Sequence, residues 1–323
     1  MSLRKLCHIV PRDVPWVGLR ADKLVQTMCE LPRSQIIGLF DHGCVRVNGA
    51  LCIFPGLRAV TGDQVQLEYD PARRYHSIPR QRQRWGFDLV FEDRYLLVVQ
   101  KPADVLTIPT RREEKDTLLG RVAKYVRQAG DRHQKGPALT ETPSVFTAHR
   151  LDREVSGLLV MGRTEPLAKA LRDQFAARKP ERTYTAIVAG VMGSDEGKFD
   201  SLLATDRDLN RFSTADEEIG QRAVTHYRVL RRLADSTLVQ IWLETGRRNQ
   251  IRVQFADAGH PVVGDVRYGE RQAAHRRWPY RRIALHARQL GFIHPVTRKH
   301  LKFVSPLPVE MDQFLLDEIE SSD

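Results

Sequence analysis

The chain has 323 residues, 41% of them hydrophobic and 28% charged, which leaves room for two domains and one substantial core. No apolar run is long enough to cross a bilayer, and residues 1–18 lack the continuous apolar stretch of a secretory signal, so the cytoplasm is the expected compartment. Lys and Arg number 51 against 40 Asp and Glu, a net charge of +11, which favours an anionic partner.

That excess is concentrated. Residues 71–86 hold five arginines and no acid; residues 267–288 hold seven arginines and one glutamate. Together the two windows equal the whole net charge. Interleaved with Trp85, Trp278 and Tyr280, they suit a phosphate backbone and unstacked bases; a solvated linker and a solvated loop are the alternative. Cys7, Cys29, Cys44 and Cys52 form no CxxC pair, and no histidine cluster stands beside them at zinc spacing. They are expected to be buried, reduced thiols.

In chain order, residues 20–69 predict a compact α/β unit. Leu24, Met28 and Leu31 fall at i, i+4, i+7, the stripe of a helix that Pro32 breaks. Ser34 is the expected cap of a second helix bearing Ile36, Ile37 and Phe40, with Gly43 as its stop. Val45 and Val47 alternate into the hairpin signal Asn48-Gly49, and Val65, Leu67 and Tyr69 alternate as a closing strand after Gly62-Asp63. Residues 71–86 read as a linker. Beyond it, Leu96–Val99 and Leu158–Gly162 predict buried strands, and residues 111–137 are charged and partly helical. Thr164 and Pro166 open a helix carrying Leu167, Leu171 and Phe175. Residues 183–190 and 237–244 predict further strands, and Ile251, Phe255 and Ala258 mark a helix ending at Gly259.

Chemistry concentrates in AHRLDREVSGLLVMGRT, residues 148–164, where a short polar loop precedes a strand and Asp152 lies between Arg150 and Arg153. Flanking arginines favour the ionised carboxylate a nucleophile requires. By itself, an Asp beside Arg is more often a surface ion pair.

The segments LRADKLVQTMCELPRSQIIGLFDHGCVRVNGA and VTGDQVQLEY resemble the S4 RNA-binding domain, which implies RNA contacts from Arg20, Arg33, Ser34 and Arg46. HRLDxxxSGLL resembles the signature of the RluA-type pseudouridine synthases. The stretches 88–109, 182–190, 243–269, 284–297 and 303–308 follow that family's pattern in order. The resemblance implies Asp152 as nucleophile, Tyr184 as a ring against the target base and a candidate proton acceptor, and Arg252 as the basic partner of the aspartate. His149, Arg150, Arg276, Arg277, Arg281 and Arg282 are candidates to fill the gap left by a turned-out base or to grip the backbone. The chain departs from the common pattern at Asp104, Val155, Arg248, Asn249 and Gln254.

The implied fold class is α+β: a small S4-like domain over 1–70, a basic linker over 71–86, and a catalytic domain over 87–323 with a mixed, largely antiparallel sheet flanked by helices. The implied activity isomerises uridine in structured RNA, ribosomal RNA first and transfer RNA second, with no metal or organic cofactor, no DNA or membrane partner, and a monomeric state. Two rivals are set beside it: a non-catalytic RNA-binding or ribosome-assembly protein of the same fold, and a nucleoside glycosidase, which usually needs two acidic groups across one bond.

Overall fold

The computed structural model describes residues 3–10, 19–52, 55, 59, 62–76, 85–110, 112–129, 144–177, 180–207 and 210–320. Their contacts divide the chain into two compact units, Met1–Arg80 with Val304–Asp323, and Gln81–Phe303. The C-terminal stretch thus groups with the first unit, whereas the sequence reading places it in the catalytic domain. Half of the expected linker, residues 77–84, lies outside the described residues, as do 111 and 130–137 of the segment expected to be partly helical.

In the first unit, β1 (Arg4–Ile9), β4 (Gln64–Tyr69), β2 (Val45–Val47) and β3 (Ala50–Leu51) form a four-stranded sheet in that order, beside helices α1 (Ala21–Met28) and α2 (Arg33–Asp41). Leu24, Val25, Ile36, Leu39, Phe40, Val45, Val65 and Leu67 make the shared core. The expected hairpin forms: Asn48 (φ 52°) and Gly49 (φ 76°) both take the positive φ that a tight turn between right-twisted strands requires. The Ser34 cap does not form. Pro32 is the cap residue, and its carbonyl already accepts the Gln35 and Ile36 N–H groups, so Ser34 lies inside the first turn and exposed. β1 was not expected, because RKLCHI does not alternate polar and apolar residue types and none of its side chains is fully buried. Of the four thiols, Cys29 and Cys52 are buried and Cys44 half-buried, but Cys7 is exposed. The unit also includes α7 (Val309–Glu320), which buries Met311, Phe314 and Leu315.

The second unit is built on β5 (Asp88–Glu92), β6 (Leu96–Lys101), β7 (Phe146–Thr147), β8 (Ser156–Gly162), β9 (Glu181–Ala189), β10 (Glu196–Thr205), β11 (Arg211–Thr214), β12 (Gln221–Arg232), β13 (Ser236–Leu243), β14 (Leu285–Ile293) and β15 (His300–Val304). The sheet runs β11-β10-β12-β13-β9-β14-β8-β6-β5, with β15 on β14 and β7 on β8. Among the described registers only β14 against β8 is parallel, so the expected mixed, largely antiparallel sheet is observed. Its helices are α3 (Leu118–Ala129), α4 (Glu165–Ala176), α5 (Gln250–Asp257) and the short α6 (Glu270–Ala273). Every residue of β8 is buried, as its continuous apolar run predicts. Thr164 caps α4 by accepting the Leu167 N–H.

Two packing details place the site. Gly157 (φ 125°) lets β8 approach β14 so closely that a Cβ there would lie 2.3 Å from the Ala287 carbonyl oxygen. This fixes the strand that the 148–155 loop enters. Phe255 of α5 packs edge-on against the stacked Phe199 and Tyr227 rings, at 5.0 and 5.7 Å, and so seats α5 on the sheet at β10 and β12.

Candidate active site

The 148–155 loop is held from beneath. Thr107 Oγ1 donates to the Leu151 carbonyl (2.7 Å) and accepts the Leu151 N–H (3.2 Å). Lys101, fully buried at the end of β6, donates to the carbonyls of Arg153 (2.9 Å), Val105 (2.6 Å) and Pro102 (2.8 Å). Burial pulls this ammonium down to about 7, while Asp152 and Glu154 act in the opposite sense. The strapped loop presents Asp152 to a cleft that Tyr184 and Arg252 also line. Arg150, Arg182, Arg247 and Arg248 stand around the same cleft, a wall of positive charge suited to a polyanion.

Arg252 projects from α5 and is buried, its side chain 4% exposed. Its principal partner is Asp265, 1% exposed, in a two-pronged pair: Nε to Oδ2 at 2.6 Å and Nη2 to Oδ1 at 2.8 Å. Nη1 reaches Glu154 at 3.2 Å and Asp152 only at 3.7 Å. The expected Asp152–Arg252 pairing is therefore long, and the arginine serves three carboxylates. The Tyr268 ring lies against the guanidinium, Cζ 5.1 Å from the ring centre. Gln250 locks the first turn of α5 in place, accepting from Thr245 Oγ1 (2.8 Å) and donating to the Val224 carbonyl (3.0 Å) and Thr225 Oγ1 (2.9 Å).

Electrostatically the site opposes itself. Burial pushes the Asp152 carboxyl up from its ordinary value, with Glu154 adding to the rise, while Arg252, then Arg150 and Lys101, pull it down. The flanking arginines alone therefore do not set its state. Burial also pushes the Tyr184 phenol up, so at neutral pH the ring carries its proton.

The remaining expected contacts divide. Arg150, Arg276 and Arg281 are exposed and Arg277 is half-buried. Arg282 is buried and donates to Ser156 Oγ at 2.7 Å, so it is a fold contact. His149 is likewise committed internally: its Nε2 accepts the Val160 N–H (3.2 Å) and its ring stacks on Phe175 at 4.3 Å. In the first unit Arg33, Ser34 and Arg46 are exposed, whereas Arg20 is half-buried and paired with the buried Asp22 at 3.1 Å.

Burial lowers the His149 imidazole to about 3, against an ordinary 6.5. The unfolded chain then binds a proton that the folded chain refuses between those values. Stability from this residue is complete above pH 6.5 and is lost as pH falls towards 3. His149→Gln keeps an acceptor for Val160 but cannot titrate. Its melting temperature should therefore fall less than that of the wild type between pH 7 and about 4.5, as followed by circular dichroism; identical acid slopes would refute the assignment.

Sequence reasoning named no role for Lys101, Gln250, Asp265 or Tyr268, and weighed Glu154 only as the second acid of the glycosidase rival. Asp265 sits in an irregular turn after Gly264 (φ 84°), where no periodicity points to a partner on α5. The departures from the family pattern are partly explained. Asp104 occupies a left-handed position (φ 62°) that glycine fills without strain and aspartate tolerates. Gln254 is buried and donates to Ser201 Oγ and the Ala223 carbonyl, both at 2.9 Å.

Residues 95–257 match the RNA pseudouridylate synthase family. The chain is 34% identical over 302 residues to the ribosomal large subunit pseudouridine synthase D of Zymomonas mobilis, covering 91% of this chain and 92% of that protein. It is 32% identical over 298 residues to an uncharacterized RNA pseudouridine synthase, YlyB, of Bacillus subtilis, covering 92% and 93%. Among solved structures it resembles human RNA pseudouridylate synthase domain containing 4, with a TM-score of 0.57 over 71% of this chain and 93% of that one, at 22% identity. The chain belongs to the RNA pseudouridylate synthase family, whose members convert uridine to pseudouridine in RNA.

Proposed function

We propose that this chain isomerises specific uridines of large-subunit ribosomal RNA, with Asp152 as the nucleophile. The observation that carries the reading is that the Asp152 carboxylate lines a cleft together with Tyr184, Arg252 and four further arginines. The substrate is carried over from the Zymomonas mobilis relative, whose name places it on the ribosomal large subunit. The cytoplasm is the compartment proposed with that substrate.

The reaction breaks the bond between uracil N1 and ribose C1′ and forms one between C5 and C1′. N1 gains a proton and C5 loses one. An Asp152 oxygen serves as the nucleophile that carries the sugar or the base through the detached stage. Arg252, fixed by Asp265, holds positive charge beside that carboxylate. Tyr184 enters protonated, so it supplies a ring face and a hydrogen-bond donor first; acting as a base would require the phenol to ionise. A base in a duplex must also be turned out of its stack, at a cost of about a few kcal/mol, and Arg150 and Arg182, which line the cleft, are the cations proposed to meet its flanking phosphates.

Release of tritium from RNA labelled at uridine C5 tests this directly. Large-subunit ribosomal RNA should release label and transfer RNA should not. Release from transfer RNA alone would overturn the substrate, and release of free uracil would replace the isomerase by a glycosidase.

The first unit is proposed to bind RNA in the S4 manner through Arg33 and Arg46. Reversing both exposed charges, Arg33→Glu with Arg46→Glu, should weaken ribosomal RNA binding about tenfold or more and flatten the salt dependence of log K by about two. Filter binding across a salt series reads both, and an unchanged slope would remove these residues from the interface.

A further inference from the structure

Asn249 stands at the N-terminus of α5 in a left-handed conformation (φ 55°, ψ 17°) and makes no capping bond to its own helix. Asparagine tolerates that conformation, and with no cap to make, its buried side chain is free to serve another partner. It is committed: the amide bridges Tyr268 and Asp152. The orientation of the amide is assigned from its neighbours: with its oxygen towards Tyr268 it accepts the hydroxyl proton at 2.7 Å, and its nitrogen then donates to Asp152 Oδ2 at 2.8 Å and Oδ1 at 3.2 Å. The reverse orientation would set a carbonyl oxygen against a carboxylate. The Tyr268 hydroxyl is itself fixed, accepting the Arg211 backbone N–H at 3.2 Å, and its ring lies against Arg252.

The two groups beside the carboxylate thus differ in kind. Arg252 is committed to Asp265 and lies 3.7 Å from Asp152, whereas the Asn249 amide is at hydrogen-bond distance from both oxygens. We propose that Asn249, oriented by Tyr268, is the positioning residue of the nucleophile: its amide fixes the direction of the Asp152 carboxylate and holds it ionised through neutral hydrogen bonds, leaving it outside a closed ion pair. This rests on Asp152 being the nucleophile. A carboxylate closed into a two-pronged arginine pair has its lone pairs engaged by charge, and one held by a single amide keeps lone pairs for attack.

The groups that face Asp152 set the expected pH response. They are Arg252 from α5, Arg150 and Glu154 from its own loop, Lys101 from β6, and Tyr184 with Arg182 from β9. Removing the amide leaves burial less opposed, so the carboxylate would protonate at higher pH.

The experiment follows kcat and KM against pH by tritium release from C5-labelled large-subunit ribosomal RNA, for wild type, Asn249→Ala and Tyr268→Phe. Asn249→Ala should lower kcat about tenfold or more, leave KM within about twofold, and move the acid limb of kcat to higher pH. Tyr268→Phe keeps the ring beside Arg252 and should move the limb in the same direction by less. An unmoved acid limb in Asn249→Ala, whether or not kcat falls, overturns the inference. If that variant does not fold, Tyr268→Phe decides, and an unmoved limb there overturns it equally. Release by wild type that persists in Asp152→Ala would bring down the nucleophile and the inference together, and absence of release by wild type would bring down the proposed function itself.

Discussion

Asp152→Ala is expected to lower pseudouridine formation by at least about 10⁴-fold while ribosomal RNA affinity stays within about twofold. The asymmetry follows from where the two kinds of energy reside. Affinity comes mainly from phosphate contacts, and the arginines at the cleft remain in the variant. The covalent step has no substitute at this position, because Glu154, the neighbouring carboxylate, is tied to Arg252 at 3.2 Å. Stability is read on the near-isosteric Asp152→Asn, because Asp152→Ala leaves the buried Asn249 amide without its acceptor. Burial raises the folded Asp152 carboxyl above its unfolded value, so the folded state binds the extra proton and stability falls as pH rises through that window. At neutral pH the ionised carboxylate is a cost of function, and Asp152→Asn should melt at or above the wild-type temperature. Tritium release and filter binding on Asp152→Ala, and a melting curve on Asp152→Asn, check all three. Turnover above about one per cent of wild type would remove Asp152 as nucleophile.

Much of this architecture was legible because the informative segments carry a period or a punctuation mark. The continuous run of β8 announced a strand buried on both faces, Thr164 and Pro166 announced the start of α4, and Asn48-Gly49 announced a turn. The segments between residues 196 and 232 stayed silent. β10 opens with charged residues at alternate positions, β12 mixes basic, polar and apolar residues without a period, and their pairing joins positions such as Glu196 and Arg228 across a long separation. The site was legible only in its members. Counting charges placed Arg282 among the RNA contacts, although it is buried against Ser156. The apolar stripe of α5 showed Ile251 and Phe255 but not that Gln250, Arg252 and Gln254 are buried as well. A helix buried all round with polar side chains must find its partners elsewhere in the chain, and Asp265 gives no local sign that it is one.

That partnership is expected to govern stability. Arg252→Met should cost the second unit about 3–5 kcal/mol, because it strands a carboxylate in the interior. The three carboxylates around the guanidinium are not equal in this respect. Asp152 and Glu154 are 20% and 35% exposed and can turn to water, whereas Asp265 is 1% exposed and loses both of its charged hydrogen bonds. For a domain of this size each kcal/mol shifts the melting temperature by about 2–4 °C, so a fall of about 10 °C is expected. Replacing the carboxylate too, Arg252→Met with Asp265→Leu, should recover much of that loss, since a well-packed apolar pair avoids the desolvation of two ions. Activity should not return with stability, because the positive charge beside Asp152 is still missing. A single variant that melts with the wild type would show that Asp265 reaches another donor. A double variant that regains turnover would show that Arg252 acts only through the fold, and would leave Asn249 as the residue that holds the nucleophile.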